Sequence, residues 1–145
     1  MCYSIYISTT TDEDLAALPS TLFRFERDPE AETPAMRDLL AHPHRWFLTG
    51  QGGGCSCHFR HVMGESDFGF GPPVDWYPED EDDVESTHAV YEVFARVVNS
   101  GHQVDVVDMW SDMMPQYVDP MEVSLSQVPA ESFRFFDGKR FILRP

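Results

Sequence analysis

Basic charge is what this chain has least of. Lysine and arginine together number 10 against 25 aspartates and glutamates, for a formal net charge of −15. A surface that negative repels phosphate backbones, so no nucleic-acid partner is expected. The one basic concentration, Arg134, Lys139, Arg140 and Arg144, is broken up by phenylalanines and reads as the polar face of a hairpin. Long apolar runs are missing too: nothing approaches the roughly 18 residues of a membrane span, so no membrane association is expected. The opening residues 1–7 carry neither a basic n-region nor an apolar h-region of useful length, which argues against a signal peptide. Cysteine is scarce, with three in all, an odd number. A secreted disulfide framework is therefore not expected, and a reducing cytoplasm is the compartment the count points to.

What is present suits a folded domain. Hydrophobic residues make up 42% of 145, with 11 Phe, 5 Tyr and 3 Trp, enough for one core and far from a disordered composition. Residues 2–8 alternate between a Tyr3/Ile5/Ile7 face and a Cys2/Ser4/Tyr6/Ser8 face, the period of a strand. A capping box at residues 10–13 predicts a short helix over residues 12–18, ended by Pro19. Residues 21–26 alternate again. Thr33 and Pro34 form an N-cap and first-turn pair for a helix over residues 34–41, and residues 45–49 follow as a third strand.

Gly50–Gly54 then turns the chain into a fourth strand expected over residues 55–63. A long irregular loop occupies about residues 64–83 and ends in an acidic run. Val84, His88, Tyr91, Phe94 and Val98 recur at helical spacing, and Ser100-Gly101 ends that longest helix. Strands are expected over residues 103–110 and 121–128. Asp137-Gly138 between two aromatic runs predicts a hairpin over residues 133–143. The order predicts an α+β fold. It would be a single domain of residues 1–145, with a mixed or antiparallel sheet, two short helices, one long helix and a C-terminal β-hairpin.

Chemistry concentrates in Gly52-Gly53-Gly54-Cys55-Ser56-Cys57-His58-Phe59-Arg60-His61. On an ideal strand Cys55, Cys57 and His61 share one face, with Ser56, His58 and Arg60 on the other. Two thiols and an imidazole on one face make a zinc site the first reading, zinc taking sulfur and nitrogen ligands tetrahedrally. The spacing lacks a second cysteine pair, so a fourth ligand would come from Cys2, His42, His44, His88 or a carboxylate. A second reading is thiol redox chemistry: alternate strand residues lie about 6.6 Å apart, near the upper edge for a disulfide, and a strained bridge is easily reduced. The third is structural, with buried cysteines beside a glycine turn, and the other two have to displace it.

Cys2 also suggests an N-terminal nucleophile, although a strand position explains it as simply. The glycine run is not a dinucleotide fingerprint, since no helix follows it, so no nucleotide cofactor is expected. Residues 79–85 lack the spacing of a calcium loop and read as a solvated helix start. Asp105, Asp108 and Asp112 gather about the end of a strand, where with His61 or His88 they would form an acid/base pair, or else simply face solvent. Trp110, Met113, Met114, Pro115 and Tyr117 read as an apolar pocket, a partner surface or core.

An opening Cys-x-x-x-Tyr strand, an aromatic strand and then Gly-Cys-x-Cys-x-Phe resembles a group of small bacterial proteins with that signature. It is carried here by Cys2, Tyr6, Trp46, Phe47, Gly54, Cys55, Cys57 and Phe59, over roughly the first 65 residues, with Ser56 where glycine is expected. The resemblance implies a bacterial cytoplasmic origin and brings no activity with it. The leading expectation is thus a small cytoplasmic binding or regulatory domain with its functional edge at the Gly-Cys-x-Cys turn, meeting a protein partner or a small-molecule ligand. The alternative is a zinc or thiol-redox site at Cys55, Cys57 and His61, catalytic in its strongest form. A hydrolase using Asp108 or Asp112 with a histidine comes third.

Overall fold

The structure, a computed structural model, describes residues 2–62, 69–110 and 118–145. Its elements in chain order are β1 (Tyr3–Thr9), β2 (Phe23–Glu26), α1 (Pro34–Leu39), β3 (His44–Gly50), β4 (His61–Val62) and α2 (Glu81–Asn99). They are followed by β5 (Val104–Trp110), β6 (Asp119–Ser124), β7 (Phe135–Phe136) and β8 (Lys139–Arg144). Six strands form a mixed sheet in the order β2-β3-β1-β5-β8-β6, antiparallel except for the β6–β8 pair, and β4 and β7 form a small parallel pair. The fold is α+β.

Both faces of the large sheet are covered, and side-chain parity assigns each residue to its face. Ile5, Ile7, Trp46, Leu48, Val104 and Val106 point toward α2, which buries Val90, Phe94, Val97 and Val98 against them. Tyr6, Phe47, Val107 and Met109 point the other way, under Met36 of α1, Ala31 and Leu40. Coverage on both sides explains why β5 is buried from Val104 to Met109 without a polar-facing side.

The cap read in the sequence is present at α1, where Thr33 Oγ1 accepts from the Met36 N–H; α2 has a cap of its own in the Asp80 carboxylate, which accepts from the Asp82 N–H. The helix expected over residues 12–18 shortens to a 3-10 turn at Leu15–Ala17 capped by Asp14. Thr9 and Thr11 hydroxyls take the N–H groups of Thr11 and Glu13, which holds residues 9–13 in local turns instead. The strand expected over residues 121–128 runs over Asp119–Ser124, because Gln127 and Val128 fold back to donate to the Ser124 carbonyl.

The C-terminal strand pair turns at Asp137-Gly138, with Gly138 at φ +77°. Its arms take ladder partners elsewhere, β7 on β4 and β8 between β5 and β6. Of the long loop, residues 64–68 lie outside the described residues, as does residue 63 before it. Residues 69–80 are irregular apart from one bridge between Val74 and Tyr77, and the acidic run from Glu81 is the first turn of α2. Arg60 anchors this loop. Buried, it donates to both Glu79 carboxylate oxygens at 2.8 Å and to the carbonyls of Gly71, Glu131 and Phe133. The C-terminal basic residues are likewise engaged within the chain: Lys139 pairs with Asp119, Arg144 with Glu122, and Arg140 donates to the Leu39 carbonyl.

Candidate functional site: a thiol cluster held by Ser56

The site begins where β3 stops. The β1–β3 ladder ends at the pair Ile5–Leu48, leaving the first residues of β1 without β3 as a neighbour. Gly53 and Gly54, at φ +70° and +84°, reverse the chain there, so residues 55–57 lie against β1 in place of β3. Positive φ strains any residue with a Cβ, which is why the glycines sit at this turn. Gly50 also lacks room for a side chain, since an added Cβ would stand 2.9 Å from His58 Cβ.

Ser56 is the pin. It is fully buried, and its N–H donates to the Tyr3 carbonyl at 3.0 Å. Its hydroxyl accepts from the Ile5 N–H at 2.8 Å and donates to the Leu48 carbonyl, bridging the last pair of the ladder. Its carbonyl oxygen lies 2.6 Å from His61 Nε2. Every polar atom of Ser56 is thus committed to the fold. The flanking Cys55 and Cys57 remain half-buried on the rim, where Cys2, immediately before β1, joins them. The three sulfurs all lie within 4.8 Å of one another, a group with the spacing to hold a metal ion. All three are thiols, with no disulfide between them.

The thiols are not equivalent. Burial, reinforced by Cys55 as a hydrogen-bonded neighbour, pushes Cys57 up to about 12, against the N–H of Tyr3, which donates to its sulfur at 3.4 Å. Burial also opposes ionisation at Cys55. There, however, hydrogen bonds from the Cys57 backbone and from the Cys57 and Cys2 thiols outweigh it and bring the thiol below its ordinary value. Of these two, Cys55 is the thiol that ionises more readily.

His61 stands apart from the sulfurs. The strand expected over residues 55–63 contracts to His61–Val62, because the backbone of residues 55–57 bonds to Gly50 and Tyr3, so shared strand parity does not govern the three residues. The structure brings Cys55 and Cys57 to Cys2, and takes His61 to Asp108, with Nδ1 2.6 Å from Oδ2. The Tyr3 ring stacks on the imidazole at 3.8 Å between centroids. Both ring nitrogens are engaged, Nδ1 by Asp108 and Nε2 by the Ser56 carbonyl, so neither is open to a metal at the cluster. The His61 and Asp108 side chains are only 5% and 2% exposed, which leaves the pair no face for a substrate. Burial raises the Asp108 carboxyl above the ordinary range, with His61 opposing it, and among the described residues its Oδ1 has no hydrogen-bond partner.

The other candidates lie elsewhere. His88 pairs with Glu92 one turn along α2, His58 faces Asp83, and His42 faces Asp105 at 3.4 Å. Asp112 and residues 113, 114, 115 and 117 of the apolar set fall outside the described residues; Trp110 packs edge-on against Tyr3. Sequence reasoning missed Ser56 as the anchor. Its only signal was position, a small polar residue between two half-buried cysteines. Among the described residues no helix is long and apolar enough to cross a membrane. No protein-family model, curated protein or solved structure matches this chain.

Proposed function

We propose that this protein is a small metal-binding domain whose functional edge is the Gly-Cys-x-Cys turn, with Cys2, Cys55 and Cys57 as thiolate ligands of a zinc ion. The supporting observation is the convergence of all three cysteines, from two distant parts of the chain, within 4.8 Å. Tetrahedral zinc with sulfur bonds near 2.3 Å places its sulfurs about 3.8 Å apart, so the cluster needs only small side-chain adjustments to close on the ion. Among the described residues no fourth His, Cys, Asp or Glu atom joins the group. Zinc binding requires the thiols to ionise, and the hydrogen bonds at Cys55 favour its thiolate. The fold holds the ligands through Ser56, whose bonds to Tyr3, Ile5, Leu48 and His61 keep the two flanking thiols turned to the same side. A reducing cytoplasm, which keeps three cysteines as thiols, belongs to the same reading.

Elemental analysis of protein purified without added metal, followed by zinc titration against a chromophoric chelator, tests it. One equivalent of zinc is expected, lost in Cys55→Ser and in Cys2→Ser. Binding below about a tenth of an equivalent at neutral pH would remove the proposal.

A further inference from the structure

We propose that hydrogen peroxide converts this cluster to a disulfide between Cys2 and Cys55, with Cys57 remaining a thiol. The inference rests on the cluster read above as a metal site and names how that site is switched off.

Three thiols within 4.8 Å of one another can close one bridge, and the surrounding bonds select which. A Cys55–Cys57 bridge would have to fold the backbone about Ser56, whose N–H, carbonyl and hydroxyl are all engaged by buried partners. Alternate residues are also awkwardly spaced for a disulfide unless the backbone between them bends. The sulfur of Cys57 accepts the Tyr3 N–H at 3.4 Å, which holds it against β1. Cys2 precedes β1 and Cys55 follows Gly53 and Gly54, so neither is a strand residue, and the backbone bond that holds Cys55, from the Gly50 N–H to its carbonyl, leaves the side chain to set the geometry. Their sulfurs are already within 4.8 Å, and both residues are half-buried rather than sealed from solvent.

The chemistry balances with peroxide as the oxidant. One thiolate of the pair attacks a peroxide oxygen, the O–O bond breaks, and hydroxide leaves behind a sulfenic acid. The second thiolate attacks that sulfur, the S–S bond forms and the S–O bond breaks, releasing a second hydroxide. The two protons shed by the thiols convert both hydroxides to water. Two sulfurs have been oxidised by two electrons in all, and one peroxide has been reduced. The bridge removes two of the three thiolates, so bound zinc is released.

Metal-free protein is treated with one equivalent of peroxide, the remaining thiols are blocked with N-ethylmaleimide, and the non-reduced digest is mapped by mass spectrometry. The expected result is a reductant-reversible Cys2–Cys55 link with the maleimide on Cys57. Cys57→Ser should cross-link like the parent, and Cys2→Ser should lose the cross-link by about tenfold or more. A predominant Cys55–Cys57 link, or full cross-linking in Cys2→Ser, overturns the proposal. Because the mapping needs no metal, its failure is separate from a failure of zinc binding. Zinc-loaded protein given the same dose should release its ion in step with the bridge, and retention of zinc by bridged protein would refute the switch.

Discussion

His61 Nδ1 and Asp108 Oδ2 stand 2.6 Å apart and join the two sheets, His61 lying on the β4–β7 pair and Asp108 on β5. The contact is set up by the chain that follows β7. Asp137 donates to the Val62 carbonyl and Gly138 to the Asp108 carbonyl, so one turn brings the end of β4 over the end of β5. At its far side the same imidazole holds the Ser56 carbonyl. The thiol cluster is therefore tied to the core through Ser56, His61 and Asp108, none of which belongs to the group of three sulfurs.

Ser56→Ala should lower stability by about 2 kcal/mol, because the Ile5 N–H and the Leu48 carbonyl both lose a buried partner. Urea unfolding measures it. A change below about 0.5 kcal/mol would show that the hydroxyl does not hold the turn.

Asp108 predicts a pH dependence. Its carboxyl is raised in the fold, so its contribution is fully present below the unfolded carboxylate value and is lost as pH rises through the higher folded value. Stability of the parent should therefore fall across that interval relative to Asp108→Asn, which cannot titrate. Urea midpoints of the two proteins between about pH 3 and pH 7 provide the comparison, and parallel profiles would contradict it.

Arg60→Ala should cost about 3–5 kcal/mol, since Glu79 would keep a largely buried charge with Arg134 no nearer than 3.9 Å, and the Glu131 and Phe133 carbonyls would lose the guanidinium donor. Lysine offers no planar fork and should recover less than half of the loss. Thermal melts of both variants check it, and full recovery by Arg60→Lys would argue against the fork geometry.

In metal-free protein, iodoacetamide at neutral pH should modify Cys55 before Cys57, following the lowered Cys55 and the Cys57 value of about 12. Timed peptide mapping gives the order. Faster labelling of Cys57 than of Cys55 would reverse the assignment.

Local signals read well wherever they were repeated or chemically enforced. The spacing of Tyr91, Phe94 and Val98 announced α2, and Thr33-Pro34 announced α1, since capping and periodicity act within a few residues. Residues 55–57 read poorly: their β-like alternation was overridden by bonds to Tyr3, Ile5 and Gly50, all far away or across a turn. Asp108 with His61 was legible only as one pairing among several, because acid/base partners 47 positions apart leave no local trace.

The sequence by itself determined an acidic α+β chain with its thiols and glycines gathered at one turn, because composition, period and turn chemistry are local properties of a polymer. Only the tertiary structure decided that Cys2 completes the group and that His61 leaves it. Both outcomes depend on where β3 ends beside β1 and where β7 carries β4, and such pairings across distant segments are settled by burial and by satisfying backbone groups over the whole fold.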